Sequence, residues 1–145
     1  MALFSKTCEY AIRAVFFVAH KTANGERVGI KEIAEGIDSP EHFLAKILQD
    51  LSRKRLINSI KGPNGGFYLD AEALKRPLIE IVEAIDGDKL FRGCGLGLKQ
   101  CSEINPCPLH NQFKDIRNSI NNMLHDITIG EFNEELMSGL LSLKK

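Results

Sequence analysis

The stretch from Asp38 to Asp70, DSPEHFLAKILQDLSRKRLINSIKGPNGGFYLD, constrains this chain more than any other. Phe43, Leu44, Ile47, Leu48 and Leu51 recur at helical spacing and make one apolar stripe, which leaves His42, Ala45, Lys46, Gln49 and Arg53 on the opposite face. Asp38-Ser39-Pro40-Glu41 predicts the start of that helix, with a capping side chain, proline at the first helical position and an acid in the first turn. After Leu56 the period changes. Ile57–Lys61 and Gly66–Asp70 read as two short strands joined by a turn rich in Pro and Gly.

Upstream, residues 5–21, SKTCEYAIRAVFFVAHK, predict a helix capped by Ser5, with an apolar face through Cys8, Ala11, Ile12, Val15 and Ala19. Asn24-Gly25 ends it, and a short helix over Ile30 to Gly36 precedes the striped one. Two helices meeting at a turn and then a hairpin describe a winged helix-turn-helix within a mainly α chain. Its second helix enters the major groove of DNA while the hairpin lies along the backbone or minor groove. The candidate DNA-contacting residues are therefore Ser39, His42, Ala45, Lys46, Gln49 and Arg53, with Lys61 and Asn64 from the hairpin.

Charge alone does not point there, because the net charge is zero. The two halves differ, however: residues 1–76 carry 12 Lys/Arg against 9 Asp/Glu, and residues 77–145 carry 7 against 10. Phe43 to Lys61 holds five basic residues and one acid, a local footprint that a solvated helix face would also give. The longest apolar run, Ala14 to Ala19, is too short to span a bilayer, and the N-terminus lacks a signal-peptide pattern. We therefore expect a cytoplasmic protein with reduced thiols, in which clustered cysteines favour metal or redox chemistry over structural disulfides.

Three of the four cysteines fall in CGLGLKQCSEINPCPLH, residues 94–110. Thiolates at Cys94, Cys101 and Cys107 are soft anionic ligands suited to an iron-sulfur cluster, and Gly93, Gly95 and Gly97 let the backbone turn close to an inorganic core. A structural zinc would accept a Cys3His set, although its ligands usually come as tight pairs and the gaps here are six and five residues. A loop of cysteines with no ligand is the third reading. Cys8, on the apolar stripe of the first helix, reads as a core thiol. His20 and His125 read as surface or helix-end residues.

Pro77 predicts the start of a fourth helix, PLIEIVEAID, ended by Gly87. A last long helix begins near Cys107-Pro108, where Leu109, Phe113, Ile116, Ile120, Met123 and Ile127 are separated by 4, 3, 4, 3 and 4 residues. This narrow heptad seam on an otherwise polar helix suggests pairing with the same helix of a second subunit, although a helix packed on its own domain can also show it. The chain thus divides into a winged helix-turn-helix domain (1–76), a linker helix with the Cys-rich loop (77–106), and a dimerisation helix with a tail (107–145). No phosphate loop, nucleophile elbow or zinc-protease motif points to an enzyme. A small iron-sulfur electron carrier is the rival from another class, but it would need neither a basic outward helix nor a wing.

The order SKTCEYAIRA, helix-turn-helix, wing KGPNGGFYL, Pro-led helix, three spaced cysteines, long helix and closing ITIGEF resembles the Rrf family of bacterial transcription regulators, with its IscR, NsrR and CymR branches, over roughly residues 1–133. The resemblance implies a homodimer that binds a roughly palindromic double-stranded operator, often as a repressor, and in many members an iron-sulfur cluster that controls binding. Some members have no cluster and answer to a metabolite or partner enzyme. Cluster-bearing members separate the first two cysteines by four or five residues, one or two fewer than here. For the fourth ligand the resemblance offers two candidates. His110 follows Cys107 by three residues, as in the three-Cys, one-His arrangement of the IscR branch, and favours a [2Fe-2S] over a [4Fe-4S] cluster, because two-iron centres have precedent for His. Glu9 aligns with the helix-1 carboxylate that the NsrR branch contributes from the opposite subunit; it is also placed to pair with Arg13 one turn on.

Overall fold

The computed structural model describes residues 3–144. The first helix, α1 (Lys6–Lys21), starts where expected, with the Ser5 hydroxyl accepting from the Cys8 N–H at 3.0 Å. Cys8, Ala11, Ala14, Val15, Val18 and Ala19 are all buried, because α1 is covered by α2 (Ile30–Ile37), α3 (Glu41–Arg53) and, from further along the chain, α5 (Ile79–Asp86) and α8 (Asn133–Ser138). Small residues at positions 11, 14 and 19 allow those neighbours to come close. The predicted core thiol is fully enclosed.

The turn into α3 differs from the predicted cap. Asp38 closes α2 in the left-handed conformation (φ 54°), which a short polar side chain tolerates, and the Ser39 N–H donates to the Ala34 carbonyl at 2.9 Å. Pro40 is then the residue just ahead of the helix rather than its first turn, and its carbonyl accepts from the Leu44 N–H. The stripe behaves as predicted: Leu44, Ile47, Leu48 and Leu51 are buried and Phe43 is half-buried against Tyr10, ring edge to face at 5.4 Å.

The hairpin is shorter than predicted. β1 (Asn58–Ile60) pairs antiparallel with β2 (Gly66–Tyr68) in the register Asn58↔Tyr68, Ser59↔Phe67 and Ile60↔Gly66. Val28 extends the sheet on the far side of β2, exchanging both backbone hydrogen bonds with Phe67 at 3.0 and 2.8 Å. Gly66 (φ 151°) permits this, since a Cβ there would lie 2.9 Å from the Val28 carbonyl oxygen.

Beyond the wing, the chain has features that periodicity did not reveal. Asp70 caps a one-turn helix, α4 (Ala71–Leu74), by accepting from the Ala73 N–H. Pro77 does not open the next helix. It bridges to Thr128, and residues 74–78 meet the returning segment 127–130 through Leu78 N–H to Ile127 O (2.8 Å), Ile129 N–H to Arg76 O and Gly130 N–H to Leu74 O. α5 therefore starts at Ile79, and Gly87 ends it. A second one-turn helix, α6 (Lys89–Arg92), leads into the Cys-rich loop.

The long helix α7 spans His110–Asp126, starting three residues later than Cys107. Its seam separates into two rows. Leu109, Ile116 and Met123, each seven apart, are 43, 55 and 43% exposed, whereas Phe113, Ile120 and Ile127 are half-buried. Leu124, which the heptad reading passed over, is fully buried and makes the main anchor of α7 to the core with Ile129. Among the described residues no helix is long and apolar enough to cross a membrane.

Candidate metal centre and nucleic-acid interface

The loop that carries the cysteines is fastened to α7 before it reaches them. Arg117 donates to the Gly93 carbonyl at 2.8 Å, and the Phe113 ring lies so close to Gly95 that a Cβ there would meet it at 3.1 Å. Gly97 turns with φ 73°, and Gly93, although its backbone is extended, would bring a Cβ to 3.0 Å from the Lys89 carbonyl oxygen, so each of the three glycines answers to a conformation or a close approach. The sulfurs of Cys94, Cys101 and Cys107 then converge, all within 4.8 Å of one another, with Cys94 and Cys107 at 3.6 Å.

His110 opens α7 beside them. Its Nδ1 lies 3.3 Å from the Cys101 sulfur, and the ring is 9% exposed, so the Cys-x2-His pairing brings an imidazole to the edge of the thiol set. Its Nε2 faces Glu103 at 3.4 Å. Glu9 has no partner among the cysteines of its own chain in the described residues. It pairs with Lys6 at 3.8 Å rather than with Arg13, whose guanidinium stacks on Tyr10 at 4.7 Å and reaches the Ile37 carbonyl.

The backbone sets the acidity of this cluster. The Leu96 and Leu98 N–H groups point at the Cys94 sulfur and draw its pKa down to about 7, so a large fraction is thiolate near neutral pH. Cys101 accepts from the Cys107 N–H, which favours its thiolate, yet burial and the adjoining thiols outweigh this and hold its pKa above the ordinary value. Glu103 is held below the usual carboxylate range, first by Lys114 at 2.5 Å and then by His110. Soft anionic sulfurs with one neutral nitrogen at their edge suit iron in a cluster, and zinc would accept the same atoms. Cys8 is the opposite case, pushed up to about 12 by burial and then by Asp86.

Of the DNA-contacting candidates, Gln49, Arg53 and Lys61 line one groove between α3 and the wing. His42, Lys46, Gln49 and Arg53 are exposed on α3, Ala45 and Ser39 are half-buried, and Lys61 and Asn64 are exposed in the wing. The basic strip is partly compensated: Asp50 holds Arg53 at 3.3 Å and Lys54 at 3.2 Å, and Lys54 also donates to the Ala84 carbonyl. Lys46 is not in such a pair among the described ion pairs. The sequence reading missed Arg27, which lies outside any apolar pattern; its guanidinium donates to the Asn64 carbonyl at 3.0 Å and adds a positive charge at the wing turn. His20, read as a surface or helix-end residue, lies in the last turn of α1, where its Nδ1 is buried with no hydrogen-bond partner among the described residues and burial lowers its pKa.

These thiols differ enough to be told apart chemically. In the reduced, metal-free protein, iodoacetamide should modify Cys94 first, with a rate that rises through a midpoint near pH 7, and should leave Cys8 untouched until the chain unfolds. Peptide mapping by mass spectrometry at several pH values checks this; equal labelling of all four would contradict the arrangement.

Comparison with known proteins agrees with this architecture. Residues 4–135 match the model of the Rrf2 family, described as iron-dependent transcriptional regulators. An HTH-type transcriptional regulator of Aquifex aeolicus (strain VF5) is 34% identical over 130 residues, covering 88% of each chain. The HTH-type transcriptional regulator IscR of Klebsiella pneumoniae (strain 342) is 28% identical over 139 residues, 94% of this chain and 83% of that one. Among solved structures, CymR, the global cysteine regulator of B. subtilis, superposes with a TM-score of 0.75 at 21% identity, covering 92% of this chain and 98% of CymR. T. potens IscR gives 0.71 at 21%, covering 95% of this chain and 90% of that one. The winged helix, the spaced cysteines and these relatives, which are regulators and not enzymes, lead to one conclusion: the chain belongs to the Rrf2 family of transcriptional regulators.

Proposed function

We propose that the protein is a cytoplasmic, homodimeric repressor whose grip on a roughly palindromic double-stranded operator is governed by an iron-sulfur cluster. The observation that carries this reading is the closure of Cys94, Cys101 and Cys107 into one set within 4.8 Å, with His110 on Cys101, in a chain that also exposes a basic helix and a wing. Cys94, Cys101, Cys107 and His110 would hold the cluster, and the single histidine favours [2Fe-2S] over [4Fe-4S]; Glu9 of a second subunit is the other candidate ligand. When bound, the cluster supplies an inorganic core that redox change or small reactive molecules can alter.

The residues divide the work. In residues 1–76, Lys46, Arg53, Lys61 and Arg27 meet phosphates, while Ser39, His42, Ala45, Gln49 and Asn64 lie near the bases and the groove edge. Residues 77–106 hold the thiols. Residues 107–145 pair the subunits through Leu109, Ile116 and Met123, the exposed row of α7, with Phe113, Ile120 and Ile127 flanking it. Two recognition helices then stand about one DNA turn apart, on the order of 34 Å.

The loop can influence α3 through contacts on both sides of it. Arg117 and Phe113 fasten it to α7. On the other side α6 leads back to Asp86, whose carboxylate accepts from both the N–H and the hydroxyl of Ser5, and α1 carries Tyr10 against Phe43 of α3. A change in the loop's shape thereby tilts the recognition helices relative to the dimer axis. By linkage, DNA must favour the same loop state that favours DNA.

Three variants test this reading. Lys46→Ala should weaken operator binding and reduce the salt slope by about one unit, with a smaller effect from Arg53→Ala because Asp50 already pairs with it. Unchanged affinity and slope in both would remove α3 from the interface. Ile116→Asp should cost on the order of 3 kcal/mol or more of dimer stability by placing a charge in the subunit contact, measured by equilibrium sedimentation. We choose Ile116 over Ile120 because Ile120 is turned half inward. A dimer of parental affinity would assign the exposed row another role.

A further inference from the structure

The imidazole of His110 is nearly enclosed, and its Nε2 is buried without a hydrogen-bond partner among the described residues. Its other nitrogen, Nδ1, faces the Cys101 sulfur at 3.3 Å. A neutral imidazole that offers Nδ1 to a metal must carry its proton on Nε2, and a buried N–H without an acceptor is costly. The polar atom standing opposite Nε2 is Glu103 Oε1 at 3.4 Å, a few tenths of an ångström and a modest realignment from a hydrogen bond. Glu103 is in turn gripped by the Lys114 ammonium at 2.5 Å. Lys114 lies four residues after His110 on α7, so the two side chains share a face and bracket the carboxylate between them.

Resting on the reading of this site as a metal centre, we infer that Glu103, braced by Lys114, is a positioning residue that fixes the Nε2–H tautomer of His110 and so keeps Nδ1 free for the metal. Metal-bound histidines commonly donate their second N–H to a carboxylate, which sets ring orientation and raises ligand basicity. The arrangement has the parts in the required order: thiol set, Nδ1, ring, Nε2, carboxylate, ammonium. Glu103 touches no sulfur in the described contacts, so it acts through His110 alone. Its placement also accounts for an acid in an otherwise uncharged loop segment, residues 101–108.

The test uses full-length protein in the parent form and as Glu103→Gln, Glu103→Ala and Lys114→Met. Nitrogen-15 spectra of the His110 ring in the reduced, metal-free protein report the tautomer directly. Iron retained by anaerobically purified protein under competition with a chelator reports the consequence. The parent should show one dominant Nε2–H form. Glu103→Ala should show mixed tautomers and an iron affinity lower by about 10- to 100-fold. Glu103→Gln, which keeps a carbonyl acceptor, should recover most of the tautomer preference, and Lys114→Met should fall between parent and Ala. Because Glu103 is exposed and Lys114 is only half-buried, far-UV circular dichroism should not change.

The two claims fail separately. A parent that binds no iron yet loses its fixed tautomer in Glu103→Ala supports the positioning role and refutes the metal-centre reading. A parent that binds iron, with the same tautomer and iron affinity in all three variants, overturns the inference and leaves the metal centre standing.

Discussion

The enclosure of α1 is the constraint on which the other elements depend. α2, α3, β2, α5 and α8 all pack against this one helix, and its interior positions are filled by Ala11, Ala14, Val15, Val18 and Ala19. With residues this small, neighbours approach to backbone distance, and any large displacement of one is felt by the rest. Both ends are pinned as well. At the N-terminus, Asp86 takes the Ser5 N–H at 2.9 Å as well as its hydroxyl; at the C-terminus, the Thr22 hydroxyl donates to Val18 and accepts from the Leu69 N–H. Asp86 also lies near enough to the Cys8 thiol to help suppress its ionisation. One helix thus ties the end of the wing to the approach of the Cys-rich loop.

This arrangement explains how a protein of zero net charge can serve a nucleic-acid surface. The basic residues are few, but α3 is held with its apolar stripe inward, so the charges it carries have one direction left to face. Asp50 limits the excess by holding Arg53 and Lys54. Affinity for DNA then depends on a small number of placed cations rather than on a general positive field.

Much of the amino-terminal half was legible because its elements are amphipathic and local. Ser5, the stripe of α3 and the Pro/Gly turn of the wing each act within a few residues of themselves. The remaining differences arise from long-range contacts. Pro77 was expected to open a helix, but the segment 127–130 bridges to it and bonds to its neighbours, a pairing about fifty residues away in sequence. One-turn helices such as α4 and α6 carry too little periodicity to detect, and α8 depends on docking against α1. The heptad on α7 was readable as a period but not as two rows, since Leu124 sits off the seam and turns the helix so that one row faces the core.

The candidate metal ligands divide in the same way. Three cysteines in a Gly- and Pro-rich loop announced a common purpose, and their sulfurs do converge, with His110 at their edge. Nothing in the spacing revealed which backbone N–H groups would favour the Cys94 thiolate, nor that Glu103 and Lys114 would meet beside His110; those facts require the loop to be folded. Arg27 was missed for a related reason, because only the pairing of Val28 with Phe67 brings it to the wing.

On the proposed function, occupancy of the thiol set changes the affinity for DNA. The most direct test is a titration of operator duplex, at fixed moderate salt, with anaerobically purified protein, with the same protein after iron removal by a chelator, and after reconstitution. Iron removal should change the affinity by about tenfold or more, roughly 1.4 kcal/mol, and reconstitution should reverse the change. An affinity that stays the same in all three states, with iron demonstrably lost and regained, would contradict it.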